Sequence, residues 1–118
     1  MWSSLATLLL LSVDSAAAKV AAPKPVPPVV YGGVTYSAPN HAGTTNYVYA
    51  SDSTGKELFR IKVFDVPIDP KLEEDVQWVF ITDLKLMGGS LQVKDDKGRC
   101  YLINLDTKKV KRKYWCMF

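Results

Sequence analysis

From Val29 onward the chain alternates apolar and polar residues in short runs, and residues that favour turns separate the runs. Period-two alternation over four to eight residues is the mark of a half-buried strand. Glu57–Val66 shows it best, with Phe59, Ile61 and Val63 alternating with Arg60 and Lys62. Further strands are expected over Val29–Tyr36 (broken at Gly32-Gly33), Asn46–Ser51, Gln77–Met87, Ser90–Lys94, Arg99–Leu105 and Val110–Met117. Gln77–Met87 is bulky on both faces, which suggests a central strand covered on both sides. Turns are expected at Asp52–Gly55, Gly88-Gly89, Asp95–Gly98 and Asp106–Lys109, and a loop over residues 37–45. Pro70–Val76, with proline first and acids following, is the one helical candidate and is about two turns long. The expected fold is mostly β, a small antiparallel meander, sandwich or partly open barrel with at most one short helix. Phe59, Ile61, Val63, Trp78, Phe80, Ile81, Leu91, Val93, Tyr101 and Ile103 are the expected core.

The N-terminal pattern is different. Leu5–Val13 is an uncharged apolar run, and Ala16-Ala17-Ala18 follows it. A run of this length is too short to span a bilayer but suits a signal segment, with small residues for a signal peptidase. Residues 1–18 are therefore expected to be an export signal, 19–28 a proline-rich spacer, and 29–118 a single β domain that is secreted or periplasmic. The spacer holds Pro23, Pro25, Pro27 and Pro28, which favour extended chain without ladder hydrogen bonds. No segment of the mature chain is long enough to span a membrane.

Composition narrows the function classes only slightly. The 118 residues are 47% hydrophobic and 23% charged, with a net charge of +3. That is one soluble domain, with too small a basic excess to indicate nucleic acid. Two cysteines and one histidine leave little material for metal or acid–base chemistry. In an oxidising compartment Cys100 and Cys116 are expected to pair. A hairpin centred on Lys108 would place them directly opposite each other.

Residues 47–63 contain Asp52, Thr54, Gly55 and Lys56 between two strand patterns. They resemble one blade segment of a PQQ-type β-propeller, a strand, an Asp-x-x-Thr-Gly-Lys turn and a second strand, although here one residue rather than two separates Asp52 from Thr54. Many such segments carry Trp after the turn, where this chain has Phe59. The theme returns loosely over residues 91–105, with Gly98 lying 43 residues after Gly55. The resemblance is local, implies a strand–turn–strand unit, and carries no cofactor site onto this chain.

Candidate chemistry is sparse. His41, the single histidine, lacks partners at metal or catalytic spacing. Asp95, Asp96 and Asp106 do not follow a calcium-loop order. Glu73, Glu74 and Asp75 are adjacent, so they do not converge on one substrate. Two surfaces remain. Tyr31, Tyr36, Tyr47 and Tyr49 could form an aromatic contact face for a protein or a saccharide. Lys108, Lys109, Lys111, Arg112 and Lys113 could attract an anion, or they could keep an edge strand from pairing. The chain thus reads first as a non-catalytic binding or accessory module without a cofactor. The alternatives are a small enzyme built around His41 or the carboxylates, and a structural part of an envelope assembly.

Overall fold

The computed structural model describes residues 24–40 and 44–116. The expected signal at 1–18, the start of the spacer and His41 lie outside the described residues. Among the described residues eight strands form in order: β1 Val29–Tyr31, β2 Val34–Ser37, β3 Thr45–Ser51, β4 Glu57–Asp65, β5 Ile81–Met87, β6 Ser90–Asp95, β7 Cys100–Asn104 and β8 Val110–Lys113. They make two four-stranded antiparallel meanders, β1-β2-β3-β4 and β5-β6-β7-β8, and neither closes into a barrel.

Alternation decides which side chains meet. In the first sheet Tyr36 pairs with Ala50, and Val48 with Ile61, all buried. In the second, Leu91 pairs with Ile103 and Val93 with Tyr101. These inner faces merge in one core that includes Val63, Ile81 and Leu105, with Phe59, Phe64, Leu84, Leu86 and Val110 packed against it. Phe64 and Tyr101 stack across the sheets at 5.1 Å between centroids, a contact worth about 0.5–1.5 kcal/mol beyond its buried area.

Two side-chain amides, Asn46 buried and Asn40 half-buried, also join the two halves of the domain. Asn46 donates from Nδ2 to the Val79 carbonyl at 2.9 Å. Asn40 donates to the Ile81 carbonyl and accepts from the Ile81 N–H, at 2.7 and 3.1 Å. It thereby substitutes for a neighbouring strand where β5 begins, and backbone groups that would otherwise be orphaned are paired.

Three expectations need correction. The strand expected from Gln77 starts only at Ile81, and the helix expected over Pro70–Val76 is reduced to a 3-10 turn at Asp75–Gln77. The Gln77 amide explains both. It accepts from the Asp69 N–H and donates to the Asp69 and Glu73 carbonyls, folding this connection into a loop rather than a helix. Trp78 is half-buried, edge-on to Phe80, and donates to Glu74. Lastly, β5 is an edge strand, and β6 is the strand covered on both faces, since Leu91, Gln92 and Val93 are all fully buried.

The hairpins β3–β4 and β6–β7 use one turn twice. Asp52 Oδ1 accepts from the N–H groups of Thr54 and Lys56, at 2.9 and 3.0 Å. Asp95 Oδ1 accepts from Lys97 and Arg99 in the same way, at 2.9 Å each. In both turns the glycine N–H returns to the aspartate carbonyl. Gly55 and Gly98 sit at φ +89° and +81°, a region where a Cβ is strained. The same short-range chemistry builds both turns, but Asp52 is half-buried and the Asp95 side chain is fully buried.

Candidate functional site

The four tyrosines do not share a surface. Register puts Tyr31 and Tyr36 on the core-facing side of the first sheet, and Tyr47 and Tyr49 on its outer side. Tyr36 is only 4% exposed and lies edge-on to Phe59 at 6.4 Å. Burial first, then the nearby Tyr31 and Asp106, holds its phenol above the usual range. Tyr36 is therefore a core residue. Tyr31 is at the end of its sheet, with its hydroxyl beside Gly89. Alternation along the chain could not make this distinction, because it defines two faces without saying which is covered.

On the outer side, the i, i+2 spacing of Tyr47 and Tyr49 on β3 brings their rings to 6.1 Å, tilted by 59°. The cross-strand neighbours are Arg60 opposite Tyr49 and Lys62 opposite Tyr47. The Arg60 guanidinium is 4.8 Å from the Tyr49 centroid and 5.7 Å from that of Tyr47, within cation–π range. Glu57 holds it in place with two bonds at 2.9 and 3.0 Å. The hydrogen bond to Glu57, more than any other influence, raises the Arg60 pKa. Lys62 pairs with Asp65 at 2.8 Å, and Asp65 also accepts from Thr45. Those bonds hold the Asp65 carboxyl below its usual range, Lys62 contributing most. The result is a small amphipathic surface of two rings and two cations in fixed positions. Arg60 and Lys62 had no place in the sequence-level site, since only strand pairing brings them beside the tyrosines.

The basic cluster divides in the same manner. Lys108 Nζ lies 4.5 Å from the Phe59 centroid, and the Arg112 guanidinium 5.8 Å from that of Tyr101. Lys113 donates to Gln92 Oε1 at 3.1 Å. These three cations each have a partner on the domain, while Lys108 and Arg112 stay exposed. Lys109 and Lys111 are exposed and line an open groove of about 630 Å³ with Ser90, Leu102, Asn104, Thr107 and Val110. Cross-strand register aligns Lys111 with Leu102, Gln92 and Lys85 on the outer face of the second sheet.

Cys100 and Cys116 form a disulfide, with Cα atoms 5.6 Å apart. The register behind the expectation is not the observed one. Cys100 faces Lys113, and β8 ends there. Asn104 Oδ1 accepts from the Asp106 and Thr107 N–H groups, which centres the hairpin earlier than Lys108. Cys116 reaches its partner because the chain bends at Tyr114-Trp115.

Of the acidic residues considered for calcium, Asp96 accepts from the Phe80 N–H at 3.4 Å and Asp95 has several partners. Asp95 accepts from Arg99 Nε at 2.8 Å and the Tyr101 hydroxyl at 3.3 Å, in addition to its two main-chain donors. Among the described residues no three acidic, histidine or cysteine side chains are grouped to hold a metal ion. None of the described helices is long and apolar enough to cross a membrane. Comparison with protein-family models, curated proteins and solved structures finds no match to this chain.

Proposed function

We propose that this chain is an exported, non-catalytic binding module that contacts its ligand through the outer face of β3 and β4. The observation that carries the reading is the Tyr47–Tyr49 pair with Arg60 fixed over both rings. Aromatic rings beside a fixed guanidinium offer flat apolar area and directed donors at little entropic cost, a combination suited to a saccharide or an extended peptide. The Leu5–Val13 run with its alanine cluster, and a disulfide in so small a domain, support export. Ion pairs along β4, Glu57 with Arg60 and Lys62 with Asp65, blunt that edge of the first sheet. This favours a face-binding module over a strand-edge assembly.

The test is titration of the protein against a panel of envelope polysaccharides and peptides, with Y47A/Y49A and R60A beside the parent. The reading expects at least one ligand whose affinity falls about tenfold or more in each variant, in line with the loss of a contact residue of this kind. A ligand that binds all three proteins equally would place the contact surface elsewhere. Mass spectrometry of the protein from its native host tests export separately. A terminus near Lys19 is expected, and an intact Met1 in the soluble cytosol would overturn export.

A further inference from the structure

Tyr114 and Trp115 occupy the bend after β8 and are 98% and 65% exposed. Two adjacent aromatic side chains this open to water are unusual for a soluble domain, whose exposed apolar groups are mostly scattered singly. The bend is anchored on both sides, by the β7–β8 ladder before it and by the Cys100–Cys116 disulfide after it. Cys116 Sγ also lies 3.8 Å from the Gly98 carbonyl oxygen. The two rings are thus presented on a short, cross-linked projection.

The strand leading to this projection is basic. Lys109, Lys111 and Arg112 are exposed, and Lys113 is directed along the sheet toward Gln92. Asp106, in the turn before β8, and Asp96, in the turn beside Gly98, are the nearest acidic residues in sequence to the elements that form the projection. Tyrosine and tryptophan favour the boundary between lipid headgroups and acyl chains, where an apolar ring and a polar tip are both accommodated. Lysine and arginine next to such rings add attraction to anionic headgroups.

We propose that β8 and the Tyr114–Trp115 bend form a docking tip for an anionic lipid surface. The shape separates a membrane from a soluble polyanion. A projecting tip with both rings open to water has no walls to enclose a sugar, whereas a headgroup layer needs only a protrusion that can enter it. The disulfide has a defined part, because it holds the rings outward and so reduces the ordering cost of insertion. This surface is separate from the β3–β4 face and does not depend on the binding reading given above.

The test uses the full chain, with Trp115 as the reporter. The chain has three tryptophans, so W2F/W78F leaves Trp115 alone. Quenching by brominated lipid then reads this ring even if the apolar N-terminal run also touches the vesicle. The proposal expects quenching and a blue shift on phosphatidylglycerol-containing vesicles and neither on pure phosphatidylcholine. K109Q/K111Q should weaken the response by about 25-fold, since each lysine near such a surface contributes roughly fivefold. Unquenched Trp115 on anionic vesicles that co-sediment with the protein would overturn it, as would equal quenching on both vesicle types. A soluble acidic polysaccharide that shifts Trp115 emission without any bromolipid quenching would replace the lipid surface with a glycan. If W2F/W78F loses its β circular-dichroism signal, the difference in quenching between the parent and W115F supplies the same reading.

Discussion

Asp95 gives the sharpest test of how this fold is held together, because Asp52 is a built-in control. Both carboxylates accept the same two main-chain N–H groups of the same turn. Only Asp95 is buried, and only Asp95 also takes Arg99 Nε and the Tyr101 hydroxyl. Replacing it with alanine removes an acceptor from four donors. A hydrogen bond to a charged group contributes about 1.5–3 kcal/mol, and such bonds within one network do not add in full. The Arg99 side chain is 37% exposed, so water replaces much of what its guanidinium loses, and that part is discounted. The Tyr101 hydroxyl and the Arg99 N–H have less access to water. The net expectation for Asp95→Ala is a loss of about 3 kcal/mol. Asp95→Asn keeps the Oδ1 acceptor but sets an amide against the guanidinium, and should lose about half as much. Asp52→Ala breaks the same turn at a more accessible position and should cost clearly less than Asp95→Ala. Urea unfolding with the disulfide intact measures all three, with an unchanged m-value required for a two-state comparison. If Asp95→Ala and Asp52→Ala had equal midpoints, burial would not be what makes Asp95 matter.

Leu91→Ala, on the strand covered from both sides, should cost about 2–5 kcal/mol in the same assay, and a loss below about 1 kcal/mol would count against β6 as the central strand. Cys100→Ser/Cys116→Ser should lower stability by about 3 kcal/mol in the chain-entropy account of a loop this long. The unreduced, denatured parent should show no reactive thiol. Burial, more than the nearby Asp95, raises the Tyr101 phenol pKa, so its contribution to stability is complete below about pH 10 and is lost as pH rises through the folded value. Tyrosinate absorbance should show two rings titrating late, Tyr36 and Tyr101, in step with alkaline unfolding. Asp52 is displaced in the opposite sense, held below its ordinary value near 3.8 chiefly by the Thr54 hydroxyl. The stability it adds is therefore complete above about pH 4 and disappears as pH falls through the folded value, a decline that Asp52→Asn should flatten.

Local physics made much of this protein legible from sequence alone. Phe59, Ile61 and Val63 alternate with charges because a strand repeats every two residues, and the strand forms where that pattern places it. Asp-x-x-Gly turns appear at Asp52 and Asp95 because a short carboxylate folds back on the next N–H groups and glycine accepts positive φ. The mostly β architecture follows from signals of this range.

What lay beyond reach was decided by partners distant in the chain. Alternation relates residues of one strand only; strand pairing puts Tyr36 and Tyr47 on opposite faces of the first sheet, and the second sheet covers the face bearing Tyr36. Bulk on both sides of Gln77–Met87 cannot reveal that β5 lies at an edge, because strand order depends on which meander packs where. The β7–β8 register was set by the side chain of Asn104 gathering two N–H groups, and the disulfide formed by a bend rather than across paired strands. Arg60 joined the tyrosines for the same reason. Cross-strand neighbours are far apart in sequence, and a one-residue change of register moves every side chain to the other face.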